Sequence, residues 1–375
     1  MNATTGLHLE PLLDELGPAF AARAAAHDSA DEFVSENFAA LRDARLFSAL
    51  VPEELGGCGV SYNDMCAFVR GLGRFCGSTA LTLSMHQHLV AASVWNYRHG
   101  KPGEKLLRTV ADGEKILVST GGNDWLASSG TLEPCEGGFR FSARKGFASG
   151  CLAGDILSTS GQFDDPVAGR QVLHFAVPLK SDGITIDRNW QTMGMRGTGS
   201  HTVVLNNVFV PEQAVVLSRP CGVYHPVWDV VLNVALPLIC TAYVGVAEAA
   251  AAAARTAVAK RGDDGVNAIL VGEVENELTV AELALDSMIA NVNNLDFSPT
   301  IALANQALVR KTIVAEAVRR TAEKALEAVG GSAYYRTSAI ERMLRDAQAA
   351  QFHPLPAKKQ QRFTGRLAIG LDPIG

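Results

Sequence analysis

The chain has 375 residues, of which 47% are hydrophobic and 19% are charged, and its formal net charge is −6. A chain of this length can form two or three domains with sizeable cores, and this composition excludes a disordered protein. Lys and Arg are dispersed along the sequence, so we expect no basic face that would bind nucleic acid or an anionic membrane.

Cysteine usage and the apolar segments indicate a soluble protein. The seven cysteines are odd in number, scattered and without a CxxC pair, which favours neither a zinc site nor a disulfide framework. The N-terminus carries acids and has no basic segment followed by an apolar one, so it does not resemble a secretory signal. Residues 230–247 are apolar but contain Asn233 and Pro237, which favours a helix inside a bundle over a membrane span. We expect a cytoplasmic location.

Residues 1–117 are predicted to form an N-terminal helical domain. Apolar side chains recur at three- and four-residue spacing over residues 32–50, which predicts a one-sided helix. Further helices are expected over the following apolar segments, of which the one after Gly77 is apolar enough to be buried on most sides. A last short helix begins within residues 101–105.

Residues 118–227 are predicted to form a β domain, because the apolar period changes from helical spacing to alternation. Residues 130–150 contain a strand, a Gly137-Gly138 turn and a returning strand in which Phe139 and Phe141 alternate with polar residues. Short strands with no helices between them favour an antiparallel barrel or sandwich over a Rossmann sheet. The other expected strands lie at residues 155–160, 172–179, 183–187 and 201–211.

Residues 228–375 are predicted to form a C-terminal four-helix bundle. The expected helices lie at residues 236–261, 271–294, 307–329 and after Ser338. The high alanine content permits close helix packing, as would suit a bundle that also forms a subunit interface. The fold class is therefore α+β, with a helical domain, a β domain and a helical bundle in that order.

This order of domains resembles the acyl-CoA dehydrogenase superfamily, and four segments resemble its motifs. They are VPEELGGCGV (51–60), KGFASG (145–150), GMRGTGSHTVVLNNVFVP (194–211) and RDAQAAQFHP (345–354). The four segments occur in the family's order, and the resemblance covers nearly the whole chain. The resemblance implies an oxidoreductase with FAD, in the form of a homotetramer or a homodimer.

The resemblance places the flavin ring beside residues of the β domain. Phe147 and Ser149 are two apart on an expected strand and would point to one side, so that one packs on the ring and the other bonds its edge. An ordinary strand residue and a turn serine is the alternative. Val118 and Ser119 align with the family's strand at the pyrimidine end of the ring. The turn that follows in the family is replaced by TGGNDW (120–125), in which only Asp124 is kept.

A loop of small residues is a second flavin-binding candidate. Gly197, Thr198 and Ser200 offer hydroxyls and free amides that can approach a phosphate or a flavin edge closely, although an ordinary turn between strands has the same composition.

The resemblance also implies contacts across a subunit boundary. It places Arg261 at the FAD pyrophosphate, although the aromatic residue usual after this arginine is replaced by Asp263 and Asp264. It places Gly330 and Gly331 at the adenine end, whereas a simple helix C-cap is the alternative. If both assignments hold, the site is built from two chains and the protein is an obligate oligomer.

The catalytic base of acyl-CoA dehydrogenation is missing from its usual places. That reaction needs a base near the substrate, because the α-carbon is a weak acid. The family's glutamate lies seven or eight residues past the Arg-Asp pair, where this chain has His353 and Pro354, or early in the first bundle helix, where it has Ala235 and Leu236.

Three functions remain open from the sequence. In the first, favoured by how common it is in the superfamily, His353 is the base in dehydrogenation of an acyl thioester, with hydride transfer to flavin N5 and an electron-transfer flavoprotein as acceptor. In the second, the protein is a two-component monooxygenase that receives reduced FAD or FMN from a flavin reductase and hydroxylates a small substrate through a flavin C4a-hydroperoxide. In the third, the protein binds flavin without catalysis. His353 as a solvated histidine is the alternative to a catalytic role.

Two further histidines lie on the helix that the resemblance places near the substrate. His86 and His88 are two residues apart and face different sides, so at most one would line the site. We expect His86 to contact the substrate, with a satisfied buried histidine as the alternative. Metal binding is not expected, because no third ligand is in view.

Overall fold

The computed structural model describes residues 7–120, 124–262 and 265–375. Helices precede strands and helices follow them, which confirms the predicted fold class. The N-terminal helices are α1 (Leu9–Ala30), α2 (Ser35–Asp43), α3 (Tyr62–Phe75), α4 (Gly77–Arg98) and α5 (Glu104–Ala111). The strands are β1 (Leu117–Ser119), β2 (Thr131–Cys135), β3 (Gly138–Lys145), β4 (Ile156–Asp165), β5 (Gly169–Pro178), β6 (Ile184–Asp187), β7 (Thr202–Pro211) and β8 (Val215–Pro220). The C-terminal helices are α6 (Val227–Arg261), α7 (Asn267–Val292), α8 (Ile301–Val329), α9 (Ala339–Ala347) and α10 (Ala357–Ala368). The boundaries at residues 117/118 and 227/228 stay predictions.

The helix predicted over residues 32–50 is shorter in the structure. Helix α2 ends at Asp43, and the next residues turn inward. The backbone N–H groups of Phe47 and Ser48 donate to the buried Glu114 carboxylate at 3.0 and 3.1 Å instead of to helical carbonyls. This carboxylate lets Phe47 enter the core as part of a turn, and a distant acceptor of this kind leaves no local sequence pattern.

The strands form one mixed sheet, in which β6, β7, β3, β2, β4, β5 and β8 lie side by side and β1 joins β4. Most pairs are antiparallel, as predicted, but β1 is parallel to β4, and β2 meets β4 in parallel at Thr131 and Gln162. A parallel pair needs a long connection, and the whole β2–β3 hairpin lies between β1 and β4 in the chain. The core of the β domain includes Leu132, Phe141, Leu157 and Phe175.

Helix α6 is the central element of the helical core. It packs against α3, α4, α7 and α8, and 94% of its most apolar 18-residue window is buried. It is the one helix in the described ranges that is long and apolar enough to cross a membrane, and it is buried inside the protein. Helices α3 and α6 touch at Gly73 and Gly245, where a Cβ on Gly245 would lie 2.1 Å from the Arg70 carbonyl oxygen.

The fourth helix predicted for the C-terminal bundle is divided into α9 and α10. Pro354 and Pro356 stand between the two helices. Proline has no backbone N–H and its ring clashes with the preceding turn of a helix, so the chain cannot continue as one helix there. The interruption places His353 on a short connection beside the long helices.

Candidate functional site

Phe147 and Ser149 do not lie on a strand. Strand β3 ends at Lys145, and residues 146–150 form a turn in which Phe147 has a left-handed backbone with φ of 59°. The expectation that the two side chains point to one side of a strand is therefore wrong in its geometry. Phe147 is 52% exposed, and its ring lies edge-to-face on Trp190 at 5.9 Å between centroids.

This turn is fixed to the loop of small residues that follows Met195. The Gly150 N–H donates to the Thr198 carbonyl oxygen at 3.0 Å, and the Ala148 N–H donates to the His201 carbonyl oxygen at 3.1 Å. The structure therefore brings together Phe147, Ser149 and the Gly197–Ser200 loop, which were candidates from two separate motifs. A Cβ on Gly197 would lie 3.0 Å from Ser78 Cβ and 3.0 Å from Val34 Cγ1, so only a glycine fits here without a shift of its neighbours.

Three hydroxyls form a chain with a defined direction. Thr198 Oγ1 donates to the Met195 carbonyl oxygen at 2.8 Å, so it can only accept from Ser200 Oγ, which lies 2.7 Å away. Ser200 Oγ must then accept from Ser149 Oγ, also at 2.7 Å. Because each hydroxyl has one proton, the free lone pairs at the end of the chain are those of Ser149 Oγ. This end of the chain is a hydrogen-bond acceptor.

Strand β1 packs behind the same turn. Val118 is fully buried, and a Cβ on Gly154 would lie 2.3 Å from Val118 Cγ2 and 3.5 Å from the Gly150 carbonyl oxygen. Ser119 is 8% exposed and pairs with Ser158 of β4. The Val118 side chain is therefore enclosed in the protein.

A buried ion pair that the sequence analysis did not identify anchors the loop after β1. Lys145 and Asp124 are 1% and 4% exposed and form a short salt bridge, and Lys145 Nζ also donates to the Ser129 carbonyl oxygen at 2.7 Å. Burial lowers the pKa of Lys145. The pair ties the end of β3, just before Phe147, to the loop that contains Asp124. Residues 121–123, which carry the altered family turn, lie outside the described residues.

His353 lies among three helices, and its ring packs against Tyr243 of α6 at 5.4 Å between centroids. Its carbonyl oxygen accepts from Lys311 Nζ of α8 at 2.7 Å. Burial, with smaller contributions from Lys311 and from His88 of α4, lowers the pKa of His353 to about 3. The imidazole is therefore neutral at pH 7, and within the described part of the chain its ring nitrogens have no hydrogen-bond partner.

The two histidines of α4 have different surroundings. His86 Nδ1 accepts from the Leu117 N–H at 2.9 Å, so its proton lies on Nε2, which donates to the Phe47 carbonyl oxygen at 2.8 Å. Both ring nitrogens are used, so the expected substrate contact through His86 does not fit this arrangement. His88 bonds the Ser84 carbonyl oxygen through Nδ1 at 3.2 Å and keeps Nε2 available. Burial lowers the pKa of both to about 4.

Two buried residues beside His353, Lys311 and Tyr243, were not identified as candidates from the sequence. Lys311 is 2% exposed, burial lowers its pKa to about 8, and among the described residues its ammonium group bonds backbone carbonyls and no acidic side chain. Tyr243 is 1% exposed, and its hydroxyl has no partner among the described residues. We call His88, Tyr243, Lys311 and His353 the His353 cluster. Lys311 lies at helical spacing with the buried Leu308 and Ala315, a signal that could have identified it.

Arg261 and Gly330 also lie together. The Arg261 guanidinium donates to the carbonyl oxygens of Ala328 and Val329, the latter at 3.0 Å, at the end of α8. Gly330 has φ of 76° and Gly331 follows it at the surface, so Gly330 fits the alternative of a helix C-cap. Residues 263 and 264, which follow Arg261 closely, lie outside the described residues.

Comparison with known proteins gives matches over both helical regions. The family model of the acyl-CoA dehydrogenase N-terminal domain matches residues 16–114, and that of the acyl-CoA dehydrogenase C-terminal domain matches residues 238–356. Amino sugar nitrososynthase DnmZ of Streptomyces peucetius is 27% identical, over 97% of this chain and 94% of its own. Putative acyl-CoA dehydrogenase YdbM of Bacillus subtilis is 27% identical, over 89% of this chain and 90% of its own. The structure of KijD3 in complex with FMN and dTDP-3-amino-2,3,6-trideoxy-4-keto-3-methyl-D-glucose has a TM-score of 0.88 and 26% identity, over 99% and 97% of the two chains.

Proposed function

The chain belongs to the acyl-CoA dehydrogenase superfamily of flavin-dependent oxidoreductases, and we propose that within it the protein is a monooxygenase that uses dioxygen and a reduced flavin. The superfamily includes enzymes with FAD, and KijD3 was solved with FMN. In a monooxygenase reaction one atom of dioxygen enters the substrate and the other leaves as water, while the reduced flavin gives up two electrons.

The observation that carries this proposal is the chemistry of the His353 cluster. Removal of an α-proton needs a base whose pKa is near the working pH. His353 has a pKa of about 3, and Ala235 and Leu236 occupy the family's other base position. A group with so low a pKa is a poor proton acceptor in a full transfer, although its free nitrogen is a good hydrogen-bond acceptor at pH 7. The structure thus argues against His353 as the base of a dehydrogenase.

The β domain fits a flavin, and in particular a reduced one. A phenylalanine held at positive φ and half exposed is unusual, and such strained residues are concentrated at ligand sites. We assign Phe147 to the ring face and Ser149, Thr198 and Ser200 to the ring edge. The free lone pairs of Ser149 suit an N–H donor, and a flavin carries such an N–H at N5 only when it is reduced. Val118, Ser119 and Gly197 would contribute backbone groups.

The same cluster suits an uncharged substrate. His353 and His88 each offer a neutral ring nitrogen, Tyr243 offers a hydroxyl proton, and Lys311 supplies the positive charge. A protonated amine would be repelled by Lys311 and would find no carboxylate in the cluster. The nitrogen lone pair of a neutral amine can accept an oxygen atom. We therefore propose small organic amines as the first substrates to test. DnmZ is named as an enzyme of amino sugars, which agrees with this choice.

Dehydrogenation of an acyl thioester is the second candidate. It is supported by YdbM and by the family models themselves. It would require a base other than His353. The third candidate, a flavin-binding protein without catalysis, has no specific observation in its favour.

The assembly and partners are proposals of the same kind. We propose a homodimer or homotetramer in which Arg261, Gly330 and Gly331 face a flavin held by a neighbouring copy. Large exposed aromatic side chains adjoin these glycines, since Tyr334 is 79% and Tyr335 is 70% exposed. A flavin reductase would supply the reduced flavin in the cytoplasm.

The test separates the candidates by the fate of oxygen. The purified protein is first titrated anaerobically with oxidised and reduced FMN and FAD, and tighter binding of the reduced forms is expected. It is then mixed with reduced flavin, ¹⁸O₂ and a set of primary amines, phenols and thioethers, and products are analysed by mass spectrometry. One ¹⁸O atom in a product supports the proposal. A yellow protein whose flavin is bleached by an acyl-CoA without oxygen would overturn it, and tight flavin binding with neither reaction would favour the third candidate.

A further inference from the structure

Lys311 is a buried cation with no anionic partner in the described parts of the chain. Its ammonium group donates to two carbonyl oxygens of the connection between α9 and α10, that of His353 at 2.7 Å and that of Leu355 at 3.2 Å. A buried ammonium is costly to desolvate, and backbone carbonyls compensate for this only in part. A long apolar side chain would fill the same space at a lower cost, so stability of the fold does not explain a lysine here.

The connection that Lys311 holds has few other attachments. It contains Pro354 and Pro356, neither of which can donate a backbone hydrogen bond, and Phe352 beside it is 68% exposed. Leu355 is buried, and the His353 ring rests against Tyr243. The two bonds from Lys311 are thus the main polar restraint on the backbone that carries the imidazole.

We propose that Lys311 is a positioning residue, which fixes the 353–355 backbone and so sets the His353 ring against Tyr243. Its charge has a second effect in the same place. Lys311 of α8 is a cation and His88 of α4 a neutral imidazole, and both lower the pKa of His353. Tyr243 of α6 is a buried phenol, and the Asp346 carboxylate of α9 acts on Tyr243. The buried Cys240 thiol of α6 also stays protonated, because burial raises its pKa to about 12.

The catalytic consequence rests on the proposed function, but the structural consequence does not. A ring with fixed orientation and no charge presents one acceptor to a substrate N–H or O–H. Loss of the lysine should free the ring and raise its pKa. The yield of oxygenated product would then fall, while flavin binding at Phe147 and Ser149 would stay the same.

Three substitutions separate the two effects of the lysine. Lys311→Met has similar length and removes both the donors and the charge, Lys311→Gln keeps a donor without the charge, and Lys311→Arg keeps both. Lys324→Met on the same helix is the matched control, because Lys324 is a surface residue paired with Glu273 and Glu327. Each variant is studied as the full chain with its flavin.

The first readout is independent of activity. With labelled histidine and tyrosine, NMR gives the titration of the His353 ring and the contact between the His353 and Tyr243 rings, and the His353→Gln variant identifies the signals. For Lys311→Met we expect the ring contact to be lost and the pKa of His353 to rise by up to about one unit, because burial, the larger cause of its low value, remains. Lys311→Arg should restore the contact, Lys311→Gln should restore it with a raised pKa, and Lys324→Met should change neither. If Lys311→Met does not fold, the Gln and Arg variants decide the matter by the same comparison.

The second readout is the yield of oxygenated product per dioxygen consumed. We expect this yield to fall about tenfold in Lys311→Met with the dissociation constant of the reduced flavin unchanged, as for loss of one charge-assisted hydrogen bond. An unchanged ring contact and titration in Lys311→Met would refute the role of Lys311, whether or not the enzyme oxygenates. If the His353–Tyr243 ring contact and the His353 titration change in Lys311→Met but the wild-type protein never forms oxygenated product, the positioning role is upheld and the proposed function is rejected.

Discussion

The backbone conformation of Phe147 leads to a prediction that combines stability with binding. An L-residue at φ of 59° costs roughly 1–2 kcal/mol relative to an allowed conformation, and glycine avoids this cost. Alanine is otherwise favoured over glycine by about 0.4–1 kcal/mol, because it has less freedom in the unfolded chain. The difference predicts that Phe147→Gly is more stable than Phe147→Ala by about 0.5–1 kcal/mol, which reverses the usual order.

Both variants lose the same ring, so the comparison isolates the backbone. The ring is about half buried, which corresponds to about 1 kcal/mol of hydrophobic stabilisation, and its edge-to-face contact with Trp190 adds about 0.5–1.5 kcal/mol. Phe147→Gly should therefore be less stable than the wild type by only about 1–1.5 kcal/mol, since strain relief offsets part of this loss. Phe209 of β7 is 42% exposed and has no positive φ, so Phe209→Ala should be more stable than Phe209→Gly.

The assay is urea unfolding of the four variants without flavin, followed by flavin titration. If Phe147 covers the flavin ring, both Phe147 variants should bind reduced flavin about tenfold more weakly, whereas the Phe209 variants should bind normally. Phe147→Ala as stable as Phe147→Gly would refute the strain argument. Unchanged flavin affinity in both would remove Phe147 from the flavin site even if the strain is real.

Other predictions test the core, the hydroxyl chain and the response to pH. Gly245→Ala should destabilise the protein by about 1–3 kcal/mol, because the new Cβ would lie 2.1 Å from the Arg70 carbonyl oxygen. Gly272→Ala in α7 is the control, since its Cβ would meet open space and the variant should be more stable by up to about 1 kcal/mol. Equal melting temperatures of the two variants would contradict this prediction. Thr198→Val removes the acceptor of the Ser200 hydroxyl, so the direction of the hydrogen bond between Ser200 and Ser149 is no longer fixed. Reduced flavin should then bind about fivefold more weakly in a titration, with little change for oxidised flavin. Burial lowers the pKa of His86 to about 4, so folding favours its neutral form and the protein loses stability as the pH falls from about 6.5 towards 4. In His86→Gln, the free energy of unfolding in urea should therefore fall by about 3 kcal/mol less over this pH range. An unchanged dependence of stability on pH would show that His86 does not titrate in this way.

The local patterns of the chain were sufficient for the order of elements. Apolar periodicity changes near Ile116 and again near Trp228, and the structure has helices, strands and helices in these regions. The family motifs were equally local, and they led to Phe147, Ser149, Thr198 and Ser200 before any contact between them was known. Where the sequence analysis was wrong, as at residues 44–50 and 146–150, the deciding interaction came from a distant carboxylate or loop.

The fold, the family and the absence of a glutamate at the two usual base positions could be read from the sequence, because they depend on residue types and their order. The protonation and the partners of the candidate residues could be read only from the folded chain. It showed that His86 is fully bonded while His88 is not, and that His353 is kept neutral beside Lys311. A pKa depends on desolvation and on charges brought from other helices, so no spacing along the chain could have shown that the pKa of His353 is lowered.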